Sequence, residues 1–180
     1  MYHYKIYNIN YIINIMSFRS NLYLEKGWNL VSFYQNNIDL NKFIKNENIL
    51  EIKDSKNSYN KKIPLPLNNL KKLNIAQGYW IKSSNNFVLD IEGQVNKNEI
   101  LIEMKKGWNL IGFPFKLSSY INEILNGSIL EIKNSKSSFN SKIPDKLNTL
   151  NKLRPSEGYW CKTSKDISLN LKYPFKYNIP

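Results

Sequence analysis

One constraint outweighs the others in this sequence: most of it is written twice. Gly27-Trp28-Asn29-Leu30 returns as Gly107-Trp108-Asn109-Leu110, an offset of 80 residues. The same offset carries Ile49–Lys53 onto Ile129–Lys133, Ile63-Pro64 onto Ile143-Pro144, and Gly78-Tyr79-Trp80 onto Gly158-Tyr159-Trp160. A constant offset means that one unit is used twice without insertion or deletion. The 180 residues therefore divide into a leader over 1–20, a first module over 21–98 and a second over 99–180. Each module is small enough that its own core is only marginally sufficient, so packing between the two is expected to add stability.

The unit reads as mainly β, of the α+β kind. We expect two pseudo-symmetric repeats, each a small curled antiparallel sheet or barrel of about six strands with one short helix. Three hairpins are predicted in each. The first turns at Glu25-Lys26-Gly27, where glycine suits a left-handed closing position. The second turns at 54–57, between strands in which Leu50 and Ile52 alternate with Glu51 and Lys53. The third turns at 83–86. Asp39 and Ser119 are predicted N-caps of the helices, with Asn126-Gly127 as the second stop. Leu67, Leu70 and Leu73, matched by Leu147, Leu150 and Leu153, have the spacing of a single helical turn or a 3₁₀ segment.

Charge and composition narrow the function classes. The formal net charge is +12, which ordinarily points to an anionic partner. Yet Asn, Lys and Ile occur 28, 24 and 23 times. They share adenine- and thymine-rich codons, so drift in an AT-rich genome accounts for the same excess. Only Arg19 and Arg154 are arginines, although arginine is the preferred fork for phosphate and base edges. Nucleic-acid binding stays an alternative that rests on charge alone. Cys161 is the only cysteine and His3 the only histidine, which removes an intrachain disulfide, a cysteine-based zinc site and histidine-based catalysis. Neither a signal peptide nor a membrane-spanning apolar run is visible, so an intracellular or virion location is expected.

No catalytic, cofactor or metal-binding residues are predicted. Glu51 and Glu131 stand mid-strand beside lysines and read as exposed sheet positions. The residues repeated between the copies are mostly scaffold types. We assign the core to Gly27, Trp28, Leu30, Gly78, Trp80 and their counterparts Gly107, Trp108, Leu110, Gly158 and Trp160, since tryptophan contributes most by its area. Tyr79 and Tyr159 alternate with tryptophan and so face the other way, which makes them candidates for ligand contact. Asn29 and Asn109 are the other candidates, although asparagine there also suits a backbone bond near the turn.

Lys-Gly-Trp-Asn-Leu, the central Ile-x-x-Ile hairpin and the closing Gly-Tyr-Trp-x-Lys together resemble the tandem "GWNL…GYW" modules of bacterial secreted and surface proteins. Similar modules occur in proteins of large AT-rich DNA viruses. The resemblance implies a β module without an assigned activity. The expectation is a non-catalytic binding or assembly protein, a structural or accessory protein of a large virus, whose partner is a protein or a glycan. The oligomeric state is left open.

Overall fold

The computed structural model describes residues 18–125 and 127–174. The leader lies outside them except for 18–20, which are not leader at all. They open strand β1 (Phe18–Leu24), because Ser20 is already in register with Ile91. Asn126, half of the expected second stop, also lies outside the described residues. The chain is mainly β, built from several small antiparallel sheets, none of them closed into a barrel among the described residues.

In the first half, β1 is followed by β2 (Gly27–Val31), β3 (Gln35–Asn36), helix α1 (Leu40–Ile44), β4 (Ile49–Lys53), β5 (Ser58–Asn60), β6 (Tyr79–Ser83) and β7 (Phe87–Val95). The second half supplies β8 (Ile100–Met104), β9 (Gly107–Gly112), β10 (Ser119–Tyr120), β11 (Ile129–Lys133), β12 (Ser138–Asn140), β13 (Lys152–Leu153), β14 (Gly158–Thr163) and β15 (Ile167–Leu171). These are more strands than the six per unit that were expected, because short pairs such as β10–β13 lack a clear alternation signal. One four-stranded sheet has the order β2-β6-β4-β5 and the other β12-β11-β14-β9. Beside them lie β1-β7-β3 and β15-β8. Among the described residues no helix is long and apolar enough to cross a membrane.

Two of the three predicted hairpins do not form. β1 pairs with β7, whereas β2 pairs with β6. The stretches on either side of Gly27 are one bent strand, and it runs along a second bent strand made of β6 and β7. The bend falls between the pairs Leu24↔Phe87 and Gly27↔Ser83, so two residues on one side face three on the other. That inequality is a bulge, and it turns the ribbon from one sheet into the next. Gly27 has φ 100° and Gly107 φ 99°, a backbone that L side chains rarely adopt. The corner is pinned by side chains: the Lys26 amide donates to Asn86 Oδ1 at 2.7 Å and the Lys106 amide to Asp166 Oδ1 at 2.8 Å.

The middle hairpin forms as expected, with Ile52 opposite Tyr59 and Ile132 opposite Phe139. Asp54 Oδ1 accepts from the Lys56 and Asn57 amides, and Asn134 Oδ1 from the Lys136 and Ser137 amides. Asp39 caps α1 by accepting from the Asn41 amide at 2.9 Å. The second helix is absent: Ser119 pairs with Leu153 in β10–β13, and only a 3₁₀ turn, Ile121–Glu123, follows. Of the leucine ladder, Leu70, Leu73, Leu150 and Leu153 are buried, while Leu67 and Leu147 point outward.

Each half has its own core. Leu24, Phe33, Phe43, Ile49, Ile52, Tyr79 and Ile81 anchor the first; Met104, Phe113, Phe115, Ile129, Ile132, Tyr159 and Cys161 anchor the second. Fully burying one such side chain contributes about 1.5–3 kcal/mol.

The halves meet along a hydrogen-bonded seam. Val31 in β2 bridges to Glu157, and Ile111 in β9 bridges to Gln77. The Ser32 amide donates to the Ser156 carbonyl at 3.0 Å, and the Gly112 amide to the Ala76 carbonyl at 2.9 Å. Ala76 and Ser156 sit at φ 64° and 63°, which turns those carbonyls toward the neighbouring half. Glycine is required here for closeness: a Cβ on Gly158 would stand 2.6 Å from the Val31 carbonyl oxygen, and one on Gly78 2.7 Å from that of Ile111. Gly158→Ala and Gly78→Ala are therefore each expected to destabilise by about 1–3 kcal/mol. Gly127→Ala, with open space around it, is expected to be near neutral. Chemical denaturation of the three variants checks this, and equal effects would remove the seam argument.

Candidate functional site

The faces of the two GYW strands are the reverse of those predicted. Tyr79 and Tyr159 are fully buried, whereas Trp28 and Trp108 are 40% and 41% exposed. Trp80 and Trp160 are half-buried. The physical reason lies at the phenol oxygen. Tyr79 Oη accepts from the Asn74 amide at 2.7 Å, and Tyr159 Oη from the Arg154 amide at 2.8 Å. A tyrosine whose hydroxyl is bonded to backbone is a good core residue. Tryptophan instead spreads over the outer sheet face with lysines above it. Lys53 Nζ lies 4.2 Å from the Trp28 ring centre and Lys133 Nζ 4.3 Å from that of Trp108. Trp28 meets Trp80 edge to face, with ring centres 6.4 Å apart.

Gly78, Gly158, Leu30 and Leu110 are buried; Gly27 and Gly107 are half-buried at the corner. Leu30 and Leu110 lie against the seam, where they would meet any Cβ on Gly158 and Gly78. Asn29 and Asn109 are half-buried, and their side-chain amides are engaged by the backbone. Asn29 Oδ1 accepts from the Glu25 amide at 2.9 Å, and its Nδ2 donates to the Glu25, Gly27 and Ile81 carbonyls. Asn109 repeats the set with Lys105, Gly107 and Cys161. Both lock the corner.

Two clefts run along the seam, and neither was foreseen in the sequence because each takes walls from both halves. The first, of about 490 Å³, places Tyr23, Glu25 and Trp28 opposite Ser135, Lys136 and Glu157. The second, of about 460 Å³, places Glu103, Lys105 and Trp108 opposite Ser55, Lys56 and Gln77. The wall residues correspond at the 80-residue offset: Trp28 with Trp108, Ser135 with Ser55, Lys136 with Lys56. The sizes suit a small-molecule or oligomer-segment site. Chemically the two differ at several paired positions: Tyr23 and Glu25 in the first are matched by Glu103 and Lys105 in the second, Asn134 by Asp54, Ser156 by Ala76 and Glu157 by Gln77. Glu157 Oε2 accepts from Tyr159 Oη at 2.7 Å and Asn134 Nδ2 at 3.0 Å. Gln77 Nε2 instead donates across the seam to the Leu110 carbonyl at 3.0 Å.

The remaining candidates are structural. Glu51 accepts from Asn60 Nδ2, and Glu131 lies 3.9 Å from Lys133; both are half-buried strand positions rather than fully exposed ones. Cys161 is fully buried, and burial pushes its thiol up to about 12. Among the described residues no group of three His, Cys, Asp or Glu is placed to hold a metal ion. Comparison with protein families, with curated proteins and with solved structures brings no match.

The buried tyrosines make stability pH-dependent in the alkaline range. Burial raises Tyr79 to about 12 and raises Tyr159 further, the Glu157 carboxylate adding to the second. The folded chain thus keeps protons that the unfolded chain releases near pH 10. Stability is full below about pH 10 and falls as pH rises toward 12. Tyrosinate absorbance should lag for these two residues until the chain unfolds, and Tyr79→Phe should flatten the dependence of stability on pH between about 10 and 12. Full tyrosinate absorbance from a still-folded chain would contradict the burial.

Proposed function

We propose that this chain is a non-catalytic binding protein in which two pseudo-symmetric β units each contribute to a tryptophan-walled cleft, and that the ligand is a glycan. The observation that carries the reading is the pair of seam clefts, each with a partly exposed tryptophan on one wall and a serine-lysine turn from the other half on the opposite wall. An exposed indole offers the apolar face that sugar C–H groups stack on, and short polar side chains around it serve hydroxyls. Both clefts mix signs: Glu25 and Glu157 with Lys136 in one, Asp54 and Glu103 with Lys56 and Lys105 in the other. Mixed charge favours a polar, near-neutral ligand over a polyanion such as nucleic acid. Two tryptophan-walled sites on one chain also suit assembly, since a ligand with repeated epitopes gains avidity from both.

The test is a glycan array followed by calorimetric titration of a retained oligosaccharide. We expect a stoichiometry of two per chain, roughly tenfold weaker binding at one site for Trp28→Ala or Trp108→Ala, and loss at both in the double variant. Binding unaffected by the double variant, or no retained glycan at all, would remove this reading.

A further inference from the structure

The loop after β5 carries an apolar tip that the fold does not use. Residues 61–67 are exposed without a break, and within them Ile63, Leu65 and Leu67 are 40%, 62% and 71% exposed. The tip is held rigid in this pose. Asn68, almost fully buried, accepts from the Asn60 amide at 2.6 Å, and its Nδ2 reaches the Asn60, Ile63 and Pro64 carbonyls. The Leu67 amide closes a turn on the Pro64 carbonyl at 3.0 Å, and Pro64 and Pro66 fix their own backbone angles. The leucines are thus kept from folding back onto the core, at the cost of the burial they forgo.

The second half shows that this tip is not needed for folding. Asn148 accepts from the Asn140 amide at 2.7 Å, and the Leu147 amide donates to the Pro144 carbonyl at 2.9 Å. The loop frame is therefore built there too. Its tip has diverged: Asp145 stands where the first has Leu65, Lys146 where it has Pro66, and Ser141 where it has Lys61. The same frame carries two chemistries, so the apolar one is not a packing requirement. Along the chain on either side of the first tip the charge is of one sign. No Asp or Glu occurs from 55 to 89, while six lysines do, and Lys61, Lys62, Lys71 and Lys72 flank the tip. The acids that reach its base are Glu47, whose carbonyl takes the Lys61 ammonium, and Glu51, which holds Asn60.

We propose that the 61–72 finger docks on an anionic lipid surface, with Leu65 and Leu67 entering the interfacial layer and the flanking lysines contacting headgroups. A rigid apolar tip with a lysine collar is what peripheral attachment requires: buried apolar area for adhesion and cations for an anionic leaflet. A nucleic acid would engage the collar but has no use for exposed leucines, and a protein groove would not need the one-signed collar. This surface is separate from the seam clefts.

Flotation of the full chain with vesicles decides it. Phosphatidylcholine vesicles containing roughly one-third phosphatidylserine should carry the protein, and pure phosphatidylcholine vesicles should not. Leu65→Asp with Leu67→Asp should weaken binding at least about tenfold, as should glutamine at Lys61, Lys62, Lys71 and Lys72 together. Leu147→Asp should leave binding intact. Thermal unfolding of each variant should match the parent, because the altered side chains are exposed. Absence of binding to the anionic vesicles at low salt overturns the proposal. So does binding indifferent to the leucine variants, which would mark diffuse attraction to a basic chain.

Discussion

The reciprocal seam is the contact on which the arrangement of the two halves depends. β2 and β9 are edge strands of their four-stranded sheets, and an uncovered edge is a template for unwanted pairing. Each is met by the segment 156–157 or 76–77 of the opposite half, through a bridge and a backbone bond of about the same length. The close approach is possible because Gly78 and Gly158 present no side chain there. The clefts are a by-product of this geometry. Where the edge strand runs past the seam, its tryptophan is left beside the other half's turn, and a groove remains between them.

Within each half the decisive device is the corner at Gly27 or Gly107. A bent ribbon whose two legs belong to different sheets wraps a core on two sides without a closed barrel. Leu22, Leu24, Leu89 and Ile91 line it from one leg, Val31, Tyr79 and Ile81 from the other. Asn29 and Asn109 then hold the bend with four side-chain bonds each. The most conspicuous string in the sequence is therefore a structural joint. Its tryptophan, pinned beneath lysines by cation–π contacts of about 0.5–1 kcal/mol each, covers the outside of the sheet.

Much of the local structure is legible in the sequence. The β character, the 54–57 turn, the Asp39 cap and the burial of Leu70 and Leu73 follow from residue types and their neighbours. Pairing was less legible, because periodicity shows that a segment is a strand but not which strand it meets. Hence Glu25-Lys26-Gly27 reads as a hairpin turn although it is a bend in one strand. Alternation correctly sets Tyr79 and Trp80 on opposite faces, yet it does not say which face is inside. Area favoured tryptophan. The backbone amide of Asn74, which completes the tyrosine hydroxyl, is a tertiary fact that no local pattern contains. The clefts were illegible for the same reason, their walls lying about a hundred residues apart in sequence in the first and about fifty in the second. The 80-residue offset is visible in the registers, where Gly27↔Ser83 and Gly107↔Thr163 pair alike.

The long reach of the ribbon also sets how this chain must be made. β1 has no partner until β7 is synthesised, since Phe18 waits for Gly93, and contacts so far apart in sequence form late. The first half can close only when nearly all of it has left the ribosome. Even then β2 stays uncovered until Glu157 emerges. During that interval a nascent chain displays an open sheet edge, and residue 157 of another chain further along the same message is a compatible segment. Exchange of halves between neighbouring chains is thus the misassembly to which this duplicated design is inherently exposed.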